Sequence, residues 1–472
     1  MNRPHILLLM ADHLRRDCLS AYGSLPVRTP NLDALADESV VFENAYCATP
    51  LCTPTRVSMY TGKYPHVHGA VANTLPATVT GPEHETLYER LDKTGYGITH
   101  VGVHHCRLSP SVEERVPAGI FESMKDWAEA CPVSSERSFT NSFRFPCNAG
   151  FDSDGNPQVK MFPAPRRIRN PYPAEEFLDV WWSHRMEERI QETDFSKPQY
   201  LEALFWAPHP PLDVPEPYFS MYPPENIVLP ETVGQWHEGQ PASLLQQTCG
   251  QIGSACTRAE YPEVWSAYFG LVTLVDDCIG RVIDALKKRG VWDDCVVVFV
   301  QDHGDMLGEH HLFQKHCHYE PASHLPLLVK TPENHSGRRD DFASAIDYCA
   351  TICDYAGVEP PAGNQGLSWR PAIEGQHSLD REAVFMEYNG DHGSTLFPSR
   401  CIVSRLNGNR WKYIYTKNDI DELYDLDADP NETRSLASSA DHSAIRNALR
   451  SSLQEWMTQT GDAVRVQAAG NG

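Results

Sequence analysis

Residues 50–62, Pro50-Leu51-Cys52-Thr53-Pro54-Thr55-Arg56-Val57-Ser58-Met59-Tyr60-Thr61-Gly62, decide how this chain is read. The pentapeptide from Cys52 to Arg56 has the look of a turn that starts a helix, with residues 56–60 as its continuation. Around it, strand-like and helix-like segments alternate. Residues 5–10 form an apolar run of strand length, and residues 29–36 open a helix with Leu32, Leu35 and Ala36 on one face. Residues 96–103 and 200–206 read as further strands. Between 259 and 289, Val264, Tyr268, Leu271, Val275, Ile279, Val282 and Leu286 recur at helical spacing, and Gly290 closes that helix. Residues 295–300 make a β-branched run, the mark of a strand buried on both faces. This order predicts an α/β core: a large, mixed but mostly parallel sheet flanked by helices.

The alternation breaks twice. From Cys106 to about residue 174, Pro, Gly, Ser and Arg dominate, which predicts a long irregular excursion over the surface. From about residue 376, the segments 383–388, 402–406, 411–415 and 422–425 read as short alternating strands, and 445–458 as an amphipathic closing helix. The expected organisation is a main domain over 1–375 and a smaller C-terminal α+β domain over 376–472 with an antiparallel sheet.

Composition excludes several classes. With 41% hydrophobic and 22% charged residues, the 472-residue chain is ordinary for a soluble globular protein of two or three domains. No apolar run approaches the ~20 residues that span a bilayer. The six-residue run after His5 lacks the length and cleavage site of a signal peptide, so a cytoplasmic location is expected. A formal charge of −23 argues against nucleic acid and anionic membranes as partners. Arg166-Arg167-Ile168-Arg169 is the one local exception, read either as a basic patch or as a solvated loop. The 14 cysteines show no disulfide or zinc spacing and read as small buried hydrophobes. Oligomeric state stays open, with a homo-oligomer among the alternatives.

Chemistry-bearing residues gather at the ends of predicted strands, where open α/β sheets bind their ligands. Asp12-His13 ends the first strand, and Asp302-His303-Gly304-Asp305 ends the strand after the long helix. Glu309-His310-His311 and Lys315 follow closely. Asp12, Asp302 and His303 supply the oxygen-rich set that a hard divalent cation takes, with one imidazole. Cys52, with Pro two places on and Arg four places on, matches the pattern read by formylglycine-generating enzymes, which oxidise the thiol to an aldehyde. A cysteine phosphatase loop is excluded, because it needs more than the three residues that separate Cys52 from Arg56.

With these pieces in order, nearly the whole chain resembles the type I, formylglycine-dependent sulfatases of the alkaline phosphatase superfamily. The matching stretches are Asp12, Thr29-Pro30-Asn31-Leu32-Asp33, Phe42-Glu43-Asn44-Ala45-Tyr46, the Cys52 motif and Tyr60-Thr61-Gly62-Lys63-Tyr64-Pro65. Ala207-Pro208-His209-Pro210, Asp302-His303-Gly304, Lys315 and Glu422-Leu423-Tyr424-Asp425-Leu426 complete them. The resemblance implies an alkaline-phosphatase-like fold and hydrolysis of a sulfate monoester.

Roles follow from the same resemblance. Cys52 would become formylglycine, and one oxygen of its hydrate would attack sulfur. Asp12, Asp302 and His303, with His13 and Cys52 beside them, would hold one divalent cation, Ca²⁺ first and Mn²⁺ or Mg²⁺ as alternatives. Arg56 would fix the hydrate, and His105 would take the second hydroxyl's proton so that sulfate is expelled and the aldehyde re-forms. An ordinary serine ester has no second hydroxyl, which is the reason for the unusual residue. His209 and Lys315 would stand at the leaving oxygen as acid and electrostatic stabiliser.

Two departures mark this chain. His13 stands where most relatives carry a second acidic residue, which removes a charge and favours a cation tolerant of imidazole, such as Mn²⁺. Val103 stands where many carry a lysine, with His104 or Asn73 as replacements toward the substrate. The neighbourhood of Asn73 is similar to bacterial phosphonate monoester hydrolases, so a phosphonate monoester hydrolase or phosphodiesterase using the same site is the second reading. A non-catalytic relative is the third, and the intact set of site residues speaks against it. Substrate specificity is expected from 106–174 and 209–258, with Phe143, Phe151, Tyr172 and Trp236 as aromatic candidates.

Overall fold

The structure, a computed structural model, describes residues 3–23, 25–73, 79–135, 144–151, 157–390 and 396–464. Strands β1 (His5–Ala11), β2 (Val40–Tyr46), β3 (Gly97–Gly102) and β4 (Ile120–Glu122) come first. β5 (Arg144–Phe151) and β6 (Pro157–Pro163) form an antiparallel hairpin, and β7 (Arg167–Arg169) follows it. Next are β8 (Gln199–Phe205), β9 (Leu212–Val214), β10 (Cys295–Val300), β11 (His324–Leu325), β12 (Leu327–Lys330) and β13 (Gly337–Ser344). Among the described residues the main sheet has the order β11-β2-β12-β10-β1-β8-β3-β4, with β13 alongside β2. The run from β10 to β4 is parallel throughout, and β12 lies antiparallel between β10 and β2.

β1 is central because both of its faces are apolar. Ile6, Leu8 and Met10 enter one core, while Leu7, Leu9 and Ala11 enter the other. β10 divides in the same way, Val296, Val298 and Val300 against Val297 and Phe299. Side chains so enclosed contribute about 1.5–3 kcal/mol each, which fixes the two strands at the middle of the sheet. The 28-residue helix Tyr261–Lys288 covers the second face with Val264, Tyr268, Leu271, Val275 and Ile279, and Gly290 beyond its end is left-handed with φ +70°. No helix among the described residues is long and apolar enough to cross a membrane.

The excursion after Cys106 differs from the irregular loop expected. β4 extends the main sheet, the helix Met124–Ala130 is capped by Ser123, and the β5–β6 hairpin is fastened at its base. There the Asn148 N–H donates to Gln251 Oε1 at 2.8 Å, and Gln251 Nε2 donates back to the Asn148 carbonyl at 2.8 Å. Composition hid these strands because β4 is only three residues long and the hairpin strands mix apolar residues with Pro, Gly, Arg and Lys without regular alternation. The basic run at 166–169 is likewise tied up. β7 pairs with β9, Arg167 stacks on Phe219 and binds Glu263 at 2.9 Å, and Arg169 binds Glu216 at 3.0 Å.

The C-terminal sheet, β14 (Ala383–Tyr388), β15 (Ser399–Leu406), β16 (Asn409–Thr416) and β17 (Glu422–Asp425), is an antiparallel meander. The helix Ser443–Thr460 covers one face with Leu449, Leu453, Trp456 and Met457. The other face, through Val384, Met386, Cys401 and Val403, belongs to the main core. A polar tie reinforces this: His66 Nδ1 meets Glu387 Oε2 at 2.6 Å, and Arg400 Nη2 donates to Asp462 Oδ1 at 3.0 Å. All cysteines are free thiols, and all but Cys131 are buried.

Candidate active site

Four neighbouring parallel strands, β10, β1, β8 and β3, end at one edge, and each delivers side chains just past its last residue. β1 delivers Asp12 and His13, β10 Asp302 and His303, β3 His104 and His105, and β8 Trp206 and His209. Cys52 comes from the side, as the first residue of the helix Cys52–Thr61 that follows β2. Gly62 ends that helix at φ +67°, where a Cβ would meet Asn364 Oδ1 at 1.9 Å. Gly304 lets the loop after β10 pass close to its neighbour, since a Cβ would lie 2.1 Å from the Pro321 carbonyl oxygen. His13 at φ +68° and His105 at φ +48° hold left-handed backbone, as do Gln314 and His316 beside the cavity. Such strain concentrates where surrounding structure dictates side-chain placement.

The side chains converge on Cys52. Its sulfur lies 3.0 Å from His303 Nε2, 3.2 Å from Lys315 Nζ and 3.6 Å from Asp12 Oδ1. Asp12, His13, Cys52 and His303 each offer a donor atom within 4.8 Å of the others, and all four are buried. Asp302 stands one step behind, accepting from Arg56 Nε at 2.9 Å and from the His303 backbone N–H at 2.9 Å. Arg56, fully buried, also donates to Asp12 Oδ2 at 3.0 Å and to the Val103 carbonyl. The carboxylate, imidazole and sulfur donors suit a divalent cation of intermediate hardness, and two buried carboxylates meet its charge.

Burial pushes the Cys52 thiol up, and Asp12 adds to the rise. An unmodified thiol there stays protonated and makes a poor nucleophile. Burial opposes the charge on Asp12, but Arg56, His105, His209 and His13 together hold that carboxyl well below its usual range. Burial, then Lys315, pushes His13 far down, so its ring is neutral. Its Nδ1 meets Asp305 Oδ2 at 2.6 Å and its Nε2 faces Lys315 Nζ. Burial raises Asp305 to about 6. Burial works against the Lys315 ammonium, yet Cys52 and Asp12 raise it above its ordinary value.

His209 lies on the loop after β8. Its Nδ1 donates to the Pro210 carbonyl at 2.5 Å, which leaves Nε2 facing Lys315 Nζ at 3.4 Å. His105 Nδ1 is 3.6 Å from Asp12 Oδ2, and burial lowers that imidazole. Trp206 backs both rings, with centroids 5.8 Å from His105 and 4.2 Å from His209. Asn73 Oδ1 accepts the Thr53 backbone N–H at 3.1 Å and reaches the cavity.

His104 is a correction. Its Nε2 meets the Tyr88 hydroxyl at 2.9 Å, in a buried network with Glu202 and His100, and its ring does not line the cavity over Cys52. The left-handed backbone at His105 turns that ring, and not the ring of His104, toward Asp12. Of the aromatic candidates, Tyr172 and Trp236 do not line this cavity, and Phe143 and the side chain of Phe151 fall outside the described residues. Asp179 carried no sequence signal. It sits on the helix Leu178–Glu192 and accepts the N–H groups of Trp206 (2.5 Å) and Ala207 (3.1 Å), which anchors the His209 loop.

A hydrolytic centre of the alkaline phosphatase superfamily is the class this sheet edge and constellation define. The sulfatase family model matches residues 4–358, and the chain belongs to that family. It is a sulfuric ester hydrolase. A second family, described as the N-sulphoglucosamine sulphohydrolase C-terminal region, matches residues 308–459. The chain is 28% identical to an arylsulfatase of Clostridium perfringens, covering 93% of this chain and 91% of that one. It is 27% identical to the multifunctional alkaline phosphatase superfamily protein PehA of Trinickia caryophylli, with 94% and 93% covered. Among solved structures, the phosphonate monoester hydrolase of Agrobacterium radiobacter superposes with a TM-score of 0.76 at 25% identity, covering 97% and 96% of the two chains.

Proposed function

We propose that the protein hydrolyses the sulfate monoester of a small organic molecule, using a formylglycine made from Cys52 by a formylglycine-generating enzyme. The observation that carries this reading is the position of the Cys52 sulfur, buried 3.2 Å from the Lys315 ammonium and 3.0 Å from His303. As a thiol the group is inert there, and its sulfur marks where the oxygens of the altered side chain would lie.

Asp12, His13, Asp302 and His303 would hold one divalent cation, whose chemistry is to polarise a sulfate oxygen and acidify the aldehyde hydrate. Ca²⁺ and Mn²⁺ are the two ions to compare, because the two imidazoles dilute an otherwise oxygen-rich set. Arg56 orients Asp12 and Asp302 and places its guanidinium behind the nucleophile. His105, neutral and next to Asp12, accepts a proton from the hydrated side chain. Lys315 meets the negative charge that develops on the departing oxygen and is the proton donor there, while His209, neutral with its proton on Nδ1, turns Nε2 toward the ammonium and orients it.

The phosphonate ester reading has an observation of its own: Asn73 is tied to the first turn of the nucleophile helix, and no lysine stands at Val103. Two measurements test the proposal. Mass spectrometry of the Cys52 peptide, from protein made in a host with the converting enzyme, should find the aldehyde, and full activity with an intact thiol would overturn the mechanism. Parallel rates on aryl sulfate and phenyl phosphonate esters should favour the sulfate.

A further inference from the structure

The cavity over Cys52 has a volume of about 260 Å³, and its deepest wall includes a residue with no part in the chemistry above. Gln314 lines the cavity and is 2% exposed, as deep as Cys52 and Lys315 at 3% each. Farther out the wall changes: Trp206 and His209 are half-buried, and Met161 is exposed. Gln314 Nε2 is buried and has no hydrogen-bond partner among the described residues. A buried amide nitrogen left without an acceptor costs free energy, and native structures keep few of them.

The backbone around this amide is pinned. The Gln314 N–H donates to Asp305 Oδ1 at 3.0 Å, and the Gln314 carbonyl accepts the Met306 N–H at 2.7 Å. Its φ of +66° is left-handed, a conformation that a residue with a side chain keeps when its surroundings impose it. Two residues on, the His316 N–H donates to the Pro50 carbonyl at 3.3 Å, which ties the loop to the segment entering the Cys52 helix. Lys315, between the two anchors, sends its ammonium to 3.2 Å from the Cys52 sulfur. The loop therefore presents a cation and a neutral donor side by side at one depth.

We infer that Gln314 is a substrate-binding residue: its Nε2 donates to a non-bridging oxygen of the sulfo group, while Lys315 serves the bridging oxygen. This rests on the sulfatase reading above and adds a residue that recognises the ester. At that depth the amide meets the sulfo group, because a leaving group extends outward past Trp206. Non-bridging oxygens carry negative charge in the ester and in released sulfate alike. The hydrogen bond is therefore made in ground and transition states, and losing it raises KM more than it lowers kcat.

The test uses converted, metal-loaded enzyme with 4-nitrophenyl sulfate as substrate and inorganic sulfate as probe, comparing wild type with Q314M and Q314E. Met keeps the length of the side chain and removes the amide, and Glu replaces the donor by a carboxylate. Q314M should raise KM about tenfold, weaken inhibition by sulfate by the same factor, and reduce the rise in melting temperature that sulfate brings. Q314E should weaken sulfate further, through like charge. Without sulfate, Q314M should melt at or above the wild-type temperature, because the fold loses no hydrogen bond. Unchanged KM and sulfate inhibition in Q314M, or a Q314M that melts well below wild type, overturn the inference and leave the sulfatase reading intact. A converted wild type that hydrolyses no sulfate ester and is not stabilised by sulfate overturns both.

Discussion

Two buried lysines of this protein make an instructive pair. Lys412 on β16 is fully buried, and its ammonium meets Glu320 Oε1 at 2.7 Å, Glu432 Oε1 at 2.7 Å and the His318 carbonyl at 2.7 Å. Three oxygens, two of them carboxylate, thus surround this ammonium and compensate its charge. Lys315, 3% exposed, faces instead the imidazoles of His13 and His209 and the sulfur of Cys52. It has charge to spare for an incoming anion. The first lysine joins the C-terminal sheet to the core, and the second waits for substrate, although both are equally hidden from water.

The largest expected effect sharpens the active half of this pair. C52A removes the only precursor of the proposed nucleophile and should lower kcat by about 10⁴-fold or more, with the fold intact by circular dichroism. Next, K315A should lower kcat/KM by about 10²–10³-fold, the scale of losing one preorganised charge, with little change in melting temperature. K412M reverses the pattern. It strands the buried carboxylate of Glu432 and takes a cation from half-buried Glu320, and should destabilise the protein by about 3–5 kcal/mol in urea, while kcat per folded molecule stays within about twofold of wild type. A K412M enzyme that is stable but inactive would break the comparison.

The last effect is a pH slope beside Lys412. Glu422 accepts from the Tyr319 (2.5 Å) and Tyr424 (2.7 Å) hydroxyls, and burial raises its pKa to about 8. A carboxyl whose folded pKa lies above its unfolded value stabilises the fold fully at low pH, and that stability is lost as pH rises toward 8. E422Q should therefore flatten the fall in stability between about pH 4.5 and 8, measured by melts at several pH values.

Much of the fold was legible because long apolar elements announce themselves. β1, β10 and the helix Tyr261–Lys288 emerge from the sequence nearly to the residue, since two-sided burial requires unbroken apolar runs. The β5–β6 hairpin did not, because its residues are mixed and its stability comes from a local partner strand and Gln251. The site divides in the same way. Cys52 and Arg56 lie within one helical turn, so spacing alone reveals them. The turn of His104 toward Tyr88, the pairing of His13 with Asp305 and the anchoring of the His209 loop by Asp179 join residues far apart in the chain.

What the sequence by itself determined is the sheet, the strand ends that carry Asp12, Asp302 and His303, and the motif around Cys52, all properties of local pattern and order. Only the tertiary structure decided which lysine is saturated and which is poised. Electrostatic environment depends on distance and burial between segments hundreds of residues apart, which no local pattern encodes.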